Sequence, residues 1–127
     1  MNTNNTTKKI VNWGRPLYST VLNDLESSLN APVIEILIRF ELDLKESVWE
    51  QIERYESLYF SDIDTWEDIH IVLGGLSVGS AYIVAYLMTK YPNMELNLVE
   101  LIQSEISHRY VLKGIYPLNR KLSRGQE

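Results

Sequence analysis

The sequence holds no cysteine, two histidines, four prolines and six glycines in 127 residues. Without cysteine there is no disulfide, no thiolate zinc site and no thiol nucleophile. His70 and His108 stand alone, with no H-E-x-x-H or His-x₃-His spacing around them. No metal site and no cofactor is therefore expected. Basic residues are also short, 12 Lys and Arg against 17 Asp and Glu, for a net charge of −5. Nonspecific nucleic-acid binding depends on Lys and Arg neutralising phosphates, so nucleic acid is not an expected partner. No Pro/Gly/Ser-rich linker divides the chain and no repeat recurs, which implies one domain. The polar start is followed by Lys8-Lys9 and then only Ile10 and Val11. A secretory signal needs a longer apolar stretch, so a cytoplasmic location is expected.

What is present is apolar enough to fold. Hydrophobic residues make up 45% of the chain, far above a disordered composition. Residues 1–9 read as a mobile polar tail, 10–117 as a single globular domain and 118–127 as a basic C-terminal tail. Pro16 suits a helix start, and Leu17, Val21, Leu22, Leu25 and Leu29 recur at helical spacing. From 33 to 44 the period changes to two, with Ile34, Ile36, Ile38, Phe40, Leu42 and Leu44 in alternation. Asp43 to Glu46 resembles a capping box before a helix carrying Val48, Ile52, Tyr55 and Tyr59. Leu98, Leu101, Ile102 and Ile106 suggest a last helix after Asn93. The expected fold class is α+β, a predominantly helical single domain of about four helices. It has one clear strand at 33–44 and a second at 69–73.

Residues 71–88 carry no charge, and the stretch has three readings. It is near the length of a membrane span, which would run through 69–89. It contains Gly75-Leu76-Ser77-Val78-Gly79, a G-x-S-x-G that resembles the nucleophile elbow of α/β-hydrolases. That resemblance covers only this segment and implies a small serine hydrolase with Ser77 as nucleophile and the Val78 N–H in its oxyanion hole. The acid and histidine that should follow, among Glu95, Glu100, Glu105 and His108, all fall in one expected helix. Catalysis is therefore not expected, and no catalytic residue is assigned. The favoured reading is a core segment broken at Gly74-Gly75, with Ile69 to Leu73 free to pair with the strand at 33–44.

Charge is segregated. Residues 35–68 hold eleven acids and three bases, a net of −8 between two mildly basic ends. An acidic face steers and docks a basic partner. The expected function is a small acidic protein-binding module of the inhibitor, immunity-protein or antitoxin kind. Asp62, Asp64, Trp66, Glu67 and Asp68 at a loop-to-helix corner, with Glu53 and Glu56, are its expected contact residues. A homodimer paired along the edge of strand 33–44 is the structural alternative.

Overall fold

The computed structural model describes residues 7–39, 41–73 and 77–119. Strands and helices alternate as β1 (Lys8–Asn12), α1 (Ser19–Leu29), β2 (Val33–Leu37) and α2 (Val48–Tyr59). A 3₁₀ turn at Ile63–Thr65 precedes β3 (Asp68–Val72), α3 (Ser77–Lys90), β4 (Glu95–Gln103) and β5 (Tyr110–Pro117). The strands form one sheet in the order β2-β1-β3-β4-β5. The first four run parallel, and β5 returns antiparallel to β4.

The chain leaves β1 toward β2, crosses back over β1 to β3, then moves on to β4. The strand order thus reverses between β1 and β3. Right-handed crossovers put α1 on one face and α2 and α3 on the other. Two separate cores follow this division. Ile10, Val21, Leu25, Val72 and Val99 pack under α1. Val11, Ile52, Phe60, Ile71, Ile83, Leu87 and Leu96 pack under α2 and α3. Neighbours Ile10 and Val11 serve opposite cores, as the pleat of a central strand requires.

Local chemistry sets the boundaries. Asn30, at φ 54, closes α1 in the left-handed conformation that Asn tolerates. Ser47 caps α2 by accepting from the Glu50 N–H. Asp43 instead closes its own turn, accepting from the Lys45 N–H at 2.9 Å.

This is an α/β fold with five strands and three α-helices among the described residues, which overturns the predominantly helical α+β expectation. The expected last helix is the hairpin of β4 and β5. Leu96 packs in one core while Val99 and Leu101 pack in the other, so burial on both sides mimics helical spacing. The strand expected at 33–44 stops at Leu37, with one more bond from the Ile38 N–H to the Asn12 carbonyl. Its only partner, β1, ends there, and alternation without a neighbour forms no sheet. Phe40, within that expected strand, lies outside the described residues. The strand expected at 69–73 is β3, which pairs with β1 and β4 rather than with 33–44. Lys8 and Lys9, assigned to the N-terminal tail, belong to β1. The uncharged run is divided between β3 and α3, and no helix among the described residues is long and apolar enough to cross a membrane.

Candidate functional site

In a parallel sheet every strand-to-helix turn falls on the carboxyl edge. In this fold the turn after β1 is built with unusual care. β1 ends at Asn12, whose side chain is fully buried. An amide carries both a donor and an acceptor, and this one uses both. Its Oδ1 accepts from the Gly14 N–H at 2.9 Å. Its Nδ2 donates to the Arg15 carbonyl at 2.6 Å and to Glu35 Oε2 at 2.5 Å. The same Glu35 oxygen accepts from the Leu17 N–H at 3.0 Å. Asn12 and Glu35 thereby hold the turn from Gly14 to Leu17 at both ends. The Trp13 N–H donates to the Val72 carbonyl at 2.9 Å, which ties the turn to the end of β3.

This pinned turn delivers the chain to the N-terminus of α1. Tyr18 is the N-cap residue; no side chain caps the helix and its first turn holds no acid. The first turn of α3, opening at Ser77, holds none either. Each helix N-terminus carries roughly half a positive charge. At α2 Glu50 answers this charge, whereas the start of α1 has cations nearby. Arg109, in the turn between β4 and β5, places its guanidinium 5.2 Å from the centre of the Tyr18 ring. Arg15 lies in the pinned turn itself, and Arg39 follows β2 on the same edge. Among the described residues none of these three arginines forms an ion pair. Lys8, Lys90 and Lys113 each meet a carboxylate within 4.0 Å. The guanidiniums of Arg15 and Arg109, on either side of the α1 N-terminus, are thus available to an anion, while Glu41, Asp43 and Glu46 of this edge stand in the turn that leads to α2.

The expected contact residues lie elsewhere and do not form one face. Asp62, Asp64 and Glu67 are exposed near the amino end of β3. Asp68 is half-buried and accepts from Lys8 Nζ at 2.9 Å. Trp66 is buried, packed on Phe60 with ring centres 6.0 Å apart and with Lys9 Nζ 5.4 Å from its ring. Glu56 is buried between α2 and α3, bonded to Tyr86 and Lys90. Glu53 is exposed on α2, 4.0 Å from Lys90. Only Asp62, Asp64, Glu67 and Asp68 share a corner. Of the G-x-S-x-G segment, Gly75 and Leu76 lie outside the described residues, and Ser77 is the first residue of α3.

Sequence reasoning took Pro16 as a helix start but did not recognise Trp13-Gly14-Arg15-Pro16 as a strand-to-helix turn. The missing signal is β1 itself. A short Ile10-Val11 pair ahead of that turn and an amphipathic helix after it is a β-turn-α pattern, and it would have singled out Asn12, Arg15 and Tyr18. Glu35 and Arg109 have no local signal, because the fold alone brings them there. Comparison of the chain with protein-family models, curated proteins and solved structures gave no match.

Proposed function

We propose that this domain binds a phosphate-bearing small molecule of the nucleotide class at the carboxyl edge of its sheet. The observation that carries this reading is Arg109 set on Tyr18 at the acid-free N-terminus of α1. A cation beside the positive end of a helix is repelled until an anion lies between them. Phosphate oxygens satisfy the free N–H groups of a helix start and guanidinium donors together. The position agrees with the general behaviour of open α/β sheets. Their ligands sit outside the carboxyl ends of the strands where the strand order reverses, here between β1 and β3. Tyr18 is 46% exposed, which leaves an aromatic face for a base.

Each charge-assisted hydrogen bond to phosphate contributes about 1.5–3 kcal/mol. Calorimetric titration with AMP, ATP and inorganic phosphate tests the reading. Saturable binding is expected, weakened about tenfold or more in Arg109→Ala and in Arg15→Ala, a loss of about 1.4 kcal/mol or more. Absence of binding by all three ligands contradicts it.

A second reading, docking of a basic protein, is supported by a different corner. Leu58, at the end of α2, is 77% exposed, and Asp62 and Asp64 follow it closely in the chain. An exposed apolar residue among carboxylates suits a docking patch with electrostatic steering. Capture of a basic protein that is released by salt and abolished in an Asp62→Asn, Asp64→Asn double variant supports it. Capture unaffected by that variant contradicts it.

A further inference from the structure

α3 is apolar on both sides. Its inner side packs Ile83, Tyr86 and Leu87 into the core. Its outer side presents Val78, Ala81, Tyr82, Ala85 and Met88, whose spacing of i, i+3, i+4, i+7 and i+10 makes them one stripe. All five are exposed, Val78 to 51% and Tyr82 to 42%. No charged residue falls between Ser77 and Thr89. The other helices of this chain turn a different side to solvent. α1 exposes Asn23, Asp24 and Glu26, and α2 exposes Glu50, Glu53 and Arg54. A helix that is apolar all round belongs in a protein interior, so the outer side of α3 calls for a further layer.

The stripe is complementary to itself. Positions 78, 81, 85 and 88 are symmetric about Ile83. In two antiparallel α3 helices related by a twofold axis, Val78 meets Met88 of the second copy and Ala81 meets Ala85 of the second copy. Each contact then occurs twice, as an isologous interface requires. The small alanines at the centre let the two backbones approach, and the larger side chains close around them.

The fold extends the patch on both flanks. Trp49 of α2 is 40% exposed and packs edge-on against Tyr86, with ring centres 5.0 Å apart. On the other flank β4 turns into β5 with no helix between them. Leu96 packs in the core under α3, alternation puts Leu98 on the same side, and Tyr116 lies opposite Leu98 with 44% exposure. The stripe with Trp49 and Tyr116 exposes on the order of 600 Å², against the about 800 Å² that each partner buries in a standard stable interface.

The same chemistry disfavours other occupants. A helix that lies on a membrane surface carries Lys and Arg beside its apolar face, whereas α2, packed beside α3, presents Glu50 and Glu53. Interfaces with transient partners are about as polar as the rest of a surface, and homodimer interfaces are more apolar. An uncharged contact also lets two chains of net charge −5 meet.

We propose that the protein forms a twofold homodimer through the outer side of α3, with the two helices antiparallel. The dimer is independent of the ligand site at the carboxyl edge. Sedimentation equilibrium of the full chain across the micromolar range is expected to give twice the mass of one chain. Ala85→Glu sets a carboxylate against Ala81 of the second copy at a position that is open to solvent in one chain. It is expected to keep the fold and to weaken association at least about tenfold. Leu58→Glu, two residues past Glu56 and so on the side of α2 away from α3, leaves association unchanged. Cysteine cross-linking reads the register separately, without background in a chain that has no cysteine. Under mild oxidation, a mixture of Ala81→Cys and Ala85→Cys proteins is expected to cross-link faster than either alone. Circular dichroism checks the fold of each variant. A wild-type monomer throughout the range, association unaffected by Ala85→Glu, dissociation by Leu58→Glu, or a mixture that cross-links no faster than its components overturns the proposal.

Discussion

Tyr86 donates a 2.5 Å hydrogen bond to Glu56 in the interface between α2 and α3. Lys90 completes the group, donating to the same carboxylate oxygen at 2.6 Å and to the tyrosine oxygen at 3.0 Å. Glu56 and Tyr86 are buried, so neither is well hydrated. Burial, then the bond to Glu56, pushes the Tyr86 phenol up to about 12. The bond to Glu56 likewise raises the Lys90 ammonium above its ordinary value. The group is a polar clamp that joins two helices across an otherwise apolar layer.

Removing the carboxylate leaves two donors without their acceptor. Glu56→Ala is expected to destabilise the fold by about 2–3 kcal/mol, whereas Tyr86→Phe, which leaves Glu56 on Lys90, costs about 1 kcal/mol. Urea unfolding of both variants checks the order. Equal losses, or a stable Glu56→Ala protein, contradict the clamp.

His70 sets the acid side of the stability curve. Burial is the main cause that lowers its pKa, with Lys8 adding to the shift and Asp68 and Glu95 opposing it. The folded state then binds fewer protons than the unfolded chain, where histidine titrates at about 6.5. Stability therefore rises with pH through this range and is lost as pH falls below about 6.5. His70→Gln is expected to flatten the part of the stability curve just below that value. An unchanged slope between wild type and variant contradicts the assignment.

Asn12 is the staple of the turn after β1. Asn12→Asp keeps the size but turns the donor to Glu35 into a second acceptor, setting one carboxylate against another. It is expected to cost about 2–4 kcal/mol, more than Asn12→Ala at about 1–3. Hydrogen exchange at Gly14 and Leu17, whose N–H groups bond to Asn12 and Glu35, is expected to accelerate in both. Protection equal to wild type at both amides contradicts the role.

The elements that were legible in the sequence are those whose burial is one-sided. α1 and α2 each keep one face to solvent, so Val21 and Leu25, or Val48 and Ile52, repeat at helical spacing. β3 was legible because Gly74-Gly75 breaks the apolar run after it. β4 was not, because it buries apolar side chains on both faces, Leu96 on one and Val99 and Leu101 on the other, and periodicity cannot separate that from a helix. β1 offers only Ile10 and Val11 as apolar positions, too few for any period. The candidate site was illegible for a related reason. Its parts are Asn12, Tyr18, Glu35 and Arg109, spread over most of the chain, and only the parallel order of β1, β2 and β4 sets them on one edge. The acidic middle segment was legible as charge but not as surface. Glu56 and Trp66 proved to be buried, because α2 and the turn before β3 pack against the sheet.

The central claim is that the carboxyl edge takes a phosphate-bearing ligand. Amide chemical-shift mapping during titration with ATP tests it most directly. The account predicts saturable shifts concentrated at Gly14–Val21 and His108–Tyr110, reduced at elevated salt and abolished in an Arg15→Ala, Arg109→Ala double variant. Shifts confined to Asp62–Asp68, or none at saturating nucleotide, would contradict it.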